Sequence, residues 1–193
     1  MEETTEKLKY RIVDQAMDLF RKRGYKSVTV DEIIEAAETS KGGFYYYFKS
    51  KEELLLYWLP LLEDIYKEWY EQVDKELPSQ ELLIRFMRLV FRTTECDNTP
   101  ELLTVIYSAQ LNLKGKRKLY DSQRQLYEIL YDIIKRGQQK GELSERYSYK
   151  EMARMMVTVM RGAMYEWCLC DGMNSLEEYG SRIEEYLLRS FEK

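Results

Sequence analysis

Three helix-start signals lie close together near the amino terminus and constrain the fold of this chain most strongly. Thr29 is followed three residues later by Glu32, a spacing typical of a capping box, and Ser40 is placed to cap another helix after a tight turn. Ser50 and Glu53 repeat the capping-box spacing. Because each cap opens a new helix, the helices between them must be short. Two short helices joined by a tight turn are typical of a helix-turn-helix.

The segment before these caps predicts one longer helix over residues 5–23. Apolar residues recur there at helical spacing, with polar residues between them. Gly24 is placed to end the helix in the left-handed conformation, and Tyr25 can then pack back on Phe20.

The third helix, predicted over residues 40–48, has one apolar face and one unusual face. At 100° per residue, Phe44 and Phe48 share the side that meets the core. The opposite side carries Lys41, Gly42, Tyr45 and Tyr46. Glu, Lys or Gln would serve a helix that only needs solvation, whereas glycine lets the main chain approach a phosphate and tyrosine hydroxyls can donate to one. This face therefore favours contact with a nucleic acid backbone.

Three further residues lie within reach of the same backbone, each with an ordinary structural alternative. Tyr47 is placed about 60° to the core side of Phe44, so partial burial and a phosphate contact are both open for it. Thr29 is either a phosphate ligand or a plain helix cap. Lys51 is either a phosphate ligand or a solvated lysine.

The remaining chain reads as helices, and no alternating strand pattern of convincing length is present. The predicted helices lie near residues 51–75, 79–94, 99–112, 116–140, 148–171 and 175–191. Pro60 falls inside the first of them and should distort it locally. We expect an all-α fold of about nine helices.

The composition excludes several classes of function. The chain has no histidine, so His-based triads and His-containing zinc sites are impossible. Its three cysteines form no C-x-x-C pair, which fits free thiols in a reducing compartment. The net charge of −4 means that nucleic-acid binding must come from a local patch. We expect no enzymatic activity, metal or cofactor, and the absence of a long apolar run predicts a cytoplasmic protein with no membrane partner.

The segment IVDQAMDLFRKRGYKSVTVDEIIEAAETSKGGFYYYFKSKEELL resembles the DNA-binding domain of the TetR family of transcriptional regulators. The matching features are a first helix ending in LF and GY, the VTVDEIIEAA helix, SKGGFYYYF as recognition helix and KSKEEL opening the fourth helix. The resemblance implies a homodimer that binds a palindromic double-stranded DNA operator, most often as a repressor. It also implies a divergent C-terminal domain that senses a small-molecule effector.

By position in this family, the usual DNA contacts fall on Thr29, Thr39, Ser40, Lys41, Gly42, Gly43, Tyr45, Tyr46, Tyr47 and Lys51. Two features depart from the family pattern. The turn reads ETS where a glycine and an apolar residue are common, and Gly43 replaces a side chain that often reads a base.

The resemblance divides the chain into a DNA-binding domain over residues 1–50 and a ligand-binding and dimerisation domain over residues 51–193. Aromatic side chains in the second domain could line a pocket for a flat or cationic ligand. The candidates are Trp58, Tyr66, Trp69, Phe86, Tyr107, Tyr127, Tyr131 and Trp167.

A broad apolar stripe lies in the segment 152–167, and it has two interpretations. It is either an ordinary core helix or, with the last helix, part of the four-helix bundle through which members of this family dimerise. The candidate interface residues are Met152, Met156, Val159, Met160, Ala163, Met164, Ile183, Tyr186 and Leu187.

The main alternative function is an all-α protein-interaction module in which the tyrosines bind a protein partner. The two functions differ in their dependence on salt. DNA binding weakens steeply as salt rises, by about 0.9 in log affinity per log unit of salt for each phosphate contact, whereas the protein module should show little dependence.

Overall fold

Nine α-helices and one short 3-10 helix make up the secondary structure of the described chain, which contains no strand. The computed structural model describes residues 2–97 and 99–192, apart from the side chains of residues 2–5, 56, 58 and 97. The elements are α1 (Glu2–Arg23), α2 (Val30–Ala36), α3 (Lys41–Tyr47), α4 (Lys51–Gln72), α5 (Ser79–Asp97), α6 (Pro100–Asn112), the 3-10 helix (Lys118–Tyr120), α7 (Gln125–Lys140), α8 (Tyr149–Leu169) and α9 (Leu176–Arg189). The predicted all-α fold is confirmed.

The end of α1 and the start of α2 lie where the local sequence predicts, whereas α1 begins at Glu2, three residues before its predicted start. Gly24 has a φ of +80°, and the Tyr25 ring packs on Phe20 with centroids 4.9 Å apart. The Thr29 hydroxyl accepts from the Glu32 N–H, and the Glu32 carboxylate accepts from the Thr29 N–H at 2.7 Å. These bonds to Thr29 lower the pKa of Glu32 to about 2. The predicted capping box of α2 is therefore confirmed.

The start of α4 differs in detail from its predicted capping box. The Glu53 carboxylate accepts from the Lys49 N–H at 2.6 Å, and the Glu53 N–H donates to the Ser50 carbonyl. The Ser50 side chain instead acts on Glu52, whose pKa it lowers by hydrogen bonding. The predicted pairing of Ser50 with Glu53 is wrong, although α4 does begin at the predicted Lys51.

The helix predicted over residues 116–140 begins later, at Gln125, because the preceding residues fold back on α6. The Arg117 guanidinium donates to the carbonyls of Gln110 and Leu111 at 3.1 and 3.2 Å. The cap of α7 is Arg124, whose guanidinium binds Glu63 of α4. Pro60 lies inside α4, so it does not end that helix.

The described chain packs as two compact units. The N-terminal unit comprises Met1–Leu61 with Asp97–Leu119, and the C-terminal unit comprises Leu62–Cys96 with Tyr120–Lys193. Helix α4 contributes its first half to one unit and its second half to the other, and α6 packs within the N-terminal unit. The functional boundary after residue 50 stays a prediction, since packing alone does not define function.

Each unit has its own apolar core. In the N-terminal unit the fully buried side chains include Ile12, Phe20, Ile33, Phe44 and Phe48, together with leucines of α4 and α6. In the C-terminal unit they include Phe86, Phe91, Leu130, Met156 and Phe191. The first core fixes the orientation of α3.

Candidate nucleic-acid interface

The turn between α2 and α3 is made without glycine. Glu38 takes a left-handed φ of +47°, and its N–H donates to the Glu35 carbonyl at 3.0 Å. The next N–H, that of Thr39, donates to the Ile34 carbonyl at 3.1 Å. These bonds close α2, and Ser40 then caps α3 through its hydroxyl, which accepts from the Gly43 N–H at 3.0 Å. A glutamate therefore holds the conformation that favours glycine.

Helix α3 presents the predicted two faces. Phe44 and Phe48 are fully buried, whereas Tyr45 is 53% exposed and Tyr46 is 76% exposed. Lys41 and Gly42 are exposed beside the tyrosines. The predicted orientation of the helix is therefore confirmed, and one cation, one bare main-chain segment and two phenol groups lie on its outer surface.

Tyr47 lies between the two faces. Its side chain is half-buried, and its ring lies edge-on to that of Tyr46 with centroids 4.8 Å apart. The centroid of the Phe48 ring lies 6.2 Å from that of Tyr47. Partial burial and a phosphate contact both remain compatible with this position.

The two glycines of α3 have different roles. A Cβ on Gly43 would lie 2.5 Å from Thr39 Oγ1, closer than any normal contact, so the close approach of Thr39 requires glycine here or a new threonine rotamer. A Cβ on Gly42 would meet nothing nearer than Ser40 Oγ at 3.8 Å. Gly42 therefore leaves the backbone open to a ligand, whereas Gly43 serves the packing of the turn.

The cation on the outer face is shared with an acid that sequence reasoning missed. Lys41 Nζ lies 3.0 Å from Asp31 Oδ1, and both side chains are well exposed. The hydrogen bond to Asp31 raises the pKa of Lys41. An exposed ion pair is weak and screened by salt, so a phosphate can compete with Asp31 for this lysine.

Lys51 and Thr29 form more intramolecular hydrogen bonds than the sequence suggests. Lys51 Nζ donates to the carbonyls of Tyr25 and Val28 at 2.7 and 2.8 Å, and it lies 4.1 Å from the centroid of the Tyr25 ring. The Thr29 hydroxyl donates to the Glu32 carboxylate at 2.8 Å. The ammonium retains one further N–H for a phosphate, while the threonine proton is used within the capping box.

The predicted ligand-pocket residues fall into separate groups. Phe86 stacks on Trp69 at 5.3 Å and meets Tyr66 edge-on at 5.6 Å. Tyr127 contacts Tyr131 at 5.8 Å. The remaining candidates lie elsewhere: Trp167 donates to the Asn174 carbonyl at 3.1 Å, Tyr107 belongs to the N-terminal unit, and the Trp58 side chain lies outside the described residues.

A groove of about 460 Å³ lies on the C-terminal unit. Its lining residues, from α5 and α9, are Arg88, Glu177, Glu178, Ser181, Arg182 and Glu185. None of them is a predicted pocket residue. The groove is polar, so it does not correspond to the aromatic pocket that the sequence suggested.

Most of the predicted dimer residues are covered within a single chain. Met152, Met156, Met160, Ala163 and Met164 are all buried in the C-terminal unit. Side chains that are already buried have no surface left for a partner, so we assign these five to the core.

The other predicted dimer residues retain some exposed surface. Val159, Ile183 and Leu187 are half-buried, and Tyr186 is 62% exposed. Large apolar side chains that the sequence did not single out are exposed on the same two helices: Tyr165, Leu169 and Tyr179. These seven side chains are therefore apolar surface of α8 and α9 that a partner could still cover.

Two classes of site are absent from the described residues. No group of three or more acidic, cysteine or histidine side chains in this part of the chain is arranged to hold a metal ion. No helix within the same residues has the length and apolar character needed to cross a membrane.

Comparison with known proteins places both parts of the chain in one family. A family model described as bacterial regulatory proteins of the tetR family matches residues 12–57, and a model described as a tetracyclin repressor-like C-terminal domain matches residues 76–191. Together these matches include the candidate interface and most of the C-terminal unit.

Individual relatives agree with this match. The fatty acid metabolism regulator protein of Bacillus subtilis is 22% identical and aligns over 92% of each chain. The transcriptional regulator QacR of Staphylococcus aureus is 45% identical over 69 residues, which are 36% of this chain and 35% of QacR. The crystal structure of the repressor FadR from Thermus thermophilus, in complex with lauroyl-CoA, has a TM-score of 0.72 and 26% identity over 93% of each chain.

Proposed function

The chain belongs to the TetR family of ligand-responsive transcriptional regulators, and we propose that it is a cytoplasmic repressor that binds a palindromic DNA operator as a homodimer. The observation that carries this proposal is the outer face of α3. Exposed tyrosines, a free glycine backbone and a lysine lie there on a helix fixed by its buried phenylalanines. A recognition helix needs this combination of rigid support and exposed donors. We expect no enzymatic activity.

The proposed DNA contacts divide into two groups. The residues at the start and on the outer face of α3 enter the major groove or touch its edges: Thr39, Ser40, Lys41, Gly42, Gly43, Tyr45, Tyr46 and Tyr47. Thr29 and Lys51 lie at the starts of α2 and α4, where helix N-termini and a lysine favour phosphate. The first group supplies specificity and the second fixes the register on the duplex.

We propose that the effector is a fatty acyl thioester bound by the C-terminal unit. FadR from Thermus thermophilus, which aligns over most of this chain, was crystallised with lauroyl-CoA. The B. subtilis relative is a fatty acid metabolism regulator. The aromatic side chains around Phe86 would border the acyl site, since an apolar chain is stabilised among apolar walls.

Release from DNA would follow a shift of α4. This helix carries Lys51 at its start and passes Pro60 before it reaches the C-terminal unit. The half-sites of a palindrome lie about 34–36 Å apart, so a change of several ångströms between two recognition helices would lower operator affinity. Equal spacing of the recognition helices in structures with and without effector would contradict this mechanism.

The deciding experiment is selection of bound sequences from a random duplex pool, followed by a salt titration of the selected duplex. We expect a palindrome and a steep fall of log affinity with log salt, by about 0.9 per phosphate contact. Addition of lauroyl-CoA should then release the duplex, with the free fatty acid and free coenzyme A as comparison compounds.

The same titration separates the proposal from a protein-interaction module. Recovery of no enriched sequence, with weak binding that is insensitive to salt, would contradict a DNA operator. The exposed tyrosines would then have to be explained by a protein partner. Operator binding that lauroyl-CoA leaves unchanged would contradict the effector assignment alone.

A further inference from the structure

A basic segment, residues 114–118, connects α6 to the 3-10 helix. It reads Lys-Gly-Lys-Arg-Lys, and all of its residues are exposed. The whole chain carries a net charge of −4, so a short segment with four cations and no acid is a pronounced local excess of positive charge. Such local patches are the electrostatic sign of contact with a polyanion.

The basic segment is anchored rather than loosely tethered. Arg117 donates to two carbonyls at the end of α6, those of Gln110 and Leu111. The Leu119 N–H donates to the Gln110 side chain at 3.2 Å. Gly115, with a φ of +106°, turns the chain between the two flanking lysines. The charges are therefore held at a defined place on the molecule.

That place is in the same compact unit as the recognition helix. Lys118 Nζ lies 4.6 Å from the centroid of the Tyr57 ring, and Lys9 Nζ of α1 lies 4.0 Å from the same centroid. The Tyr57 ring in turn meets Phe48, the C-cap residue of α3, with centroids 5.2 Å apart. Two ring contacts thus connect the basic segment to the end of α3.

The positive charges at this place are only partly balanced. Burial lowers the pKa of Lys118, and the charge of Lys9 lowers it further, while Glu53 acts in the opposite direction. Neither Lys114 nor Lys116 forms an ion pair with any described carboxylate, in contrast to Lys41. Grouped like charges repel one another, so an anion that binds here is stabilised by the whole group.

The shape of the segment favours a DNA backbone over a small anion. A Cβ on Gly115 would meet no atom within 4 Å, so the space beside the turn is open at this point. Lysine acts as a point charge without fixed geometry, which suits repeated phosphates on an extended surface. Enclosed sites for small anions instead need fixed donors in a pocket.

We propose that Lys114 and Lys116 contact backbone phosphates of the duplex that flanks each operator half-site. This inference rests on the proposed function, because it requires α3 to lie on DNA. The segment would add affinity without reading sequence, since phosphate contacts carry no base information.

The test compares the wild-type chain with the double variant Lys114→Gln, Lys116→Gln on the selected operator with long flanks. Loss of two phosphate contacts from each protomer, four per dimer, should lower the slope of log affinity against log salt by about 3.6. Between 50 and 200 mM salt, the wild type should therefore lose about 150-fold more affinity than the variant. Hydroxyl-radical footprints of the variant should lose protection outside the half-sites. On a duplex trimmed to the half-sites, the two proteins should bind alike.

A matched control carries the same change of charge elsewhere. The variant Lys135→Gln, Lys150→Gln alters two exposed lysines of the C-terminal unit and should keep the wild-type slope and footprint. A wild-type slope in the Lys114→Gln, Lys116→Gln variant would overturn the inference while leaving the proposed function intact. An unchanged slope with loss of tripolyphosphate binding would overturn it in favour of a small-anion site. Failure of the wild type to bind any duplex would overturn both.

Discussion

At the residue scale, the least expected group is Glu184 of α9. It lies at the centre of the buried face of that helix and is only 1% exposed. Neither carboxylate oxygen has a hydrogen-bond partner among the described residues, and the nearby Ser181 hydroxyl is also unpartnered. Burial raises the pKa of Glu184 to about 8, because a charge without partners is costly in an apolar core. Nothing in the local sequence separates this glutamate from its exposed neighbours.

The raised pKa predicts that stability falls as pH rises. The folded state keeps the Glu184 proton up to about pH 8, whereas the unfolded state releases it near the ordinary glutamate pKa of 4.5. The stabilisation is therefore complete below pH 4.5 and is lost towards pH 8, by on the order of 4 kcal/mol. Urea unfolding of the wild type and of Glu184→Gln, each at pH 5 and pH 8, measures this loss of stability. The free energy of unfolding of Glu184→Gln should lack this fall between pH 5 and pH 8, whereas the exposed control Glu178→Gln should show it as the wild type does. The same pH dependence in Glu184→Gln and the wild type would contradict the raised pKa of Glu184.

Glu38 provides a second prediction at this scale. Its φ of +47° is unfavourable for a side chain, so Glu38→Gly should stabilise the chain by about 0.5–1 kcal/mol despite the greater freedom of glycine when unfolded. The matched change Glu35→Gly, at a right-handed helical position in α2, should instead cost about 1 kcal/mol. Thermal or urea unfolding distinguishes the two. Equal destabilisation by both changes would show that the turn is not strained.

At the element scale, the sequence predicts those helix ends that depend on neighbouring residues. The Thr29 capping box and the two faces of α3 are such cases, because cap spacing and helical periodicity are local. The start of α7 does not depend on neighbouring residues alone. It depends on Glu63, whose carboxylate accepts from the Arg124 guanidinium and from the Leu126 N–H across 61 to 63 residues of sequence. The identity of the Lys41 partner was missed for a similar reason, since Asp31 lies on a different helix.

The dependence of α7 on Glu63 is testable by substitution. Glu63→Ala would leave the Arg124 guanidinium largely buried without its anion and free the Leu126 N–H, so it should cost roughly 2–4 kcal/mol. The adjacent exposed residue gives a control, because Asp64→Ala should change stability by less than about 0.5 kcal/mol. Chemical unfolding measures both values. A loss of stability no larger than that of the control would mean that α7 begins at Gln125 for another reason.

The outer face of α3 gives the corresponding functional prediction. Tyr45→Ala and Lys41→Ala should each weaken operator binding about 30-fold, because the dimer loses one hydrogen bond of about 1 kcal/mol from each protomer. Helix content and melting temperature should not change, since both side chains are exposed. Tyr120→Ala, which removes an equally exposed tyrosine from the C-terminal unit, serves as control. Wild-type affinity in both α3 variants would place the DNA-reading face elsewhere.

At the scale of the whole molecule, the sequence predicts a helical regulator but not which apolar surfaces remain after folding. The methionine stripe of α8 has the same helical spacing whether it packs in a core or against a partner. Only the packing of α9 and the other helices shows that Met152 and Met156 are covered. The proposed dimer surface therefore moves to the exposed side chains of α8 and α9, among them Leu169 and Tyr186.

A charge placed on that surface should separate the protomers. Leu169→Glu should shift the chain from dimer to monomer in sedimentation velocity and reduce operator affinity, because a buried unpaired carboxylate opposes association. Leu111→Glu introduces the same group at a similarly exposed leucine of α6, outside the proposed interface, and should leave the dimer intact. Dimers of undiminished stability in the Leu169→Glu variant would rule out this surface.

The position of Lys51 suggests how effector binding could be uncoupled from DNA binding in such a regulator. The ammonium connects the first turn of α4 to the carbonyls of Tyr25 and Val28, just ahead of α2. If the effector acts through α4, this cation is part of the linkage that transmits its movement to the DNA-reading helices. A methionine at position 51 would fill similar space without these bonds. Such a protein would bind the operator more weakly, because Lys51 is also a proposed phosphate contact, but its remaining affinity would no longer fall when effector binds. Cells that carry it would show repression that is weaker than in the wild type and unchanged by inducer.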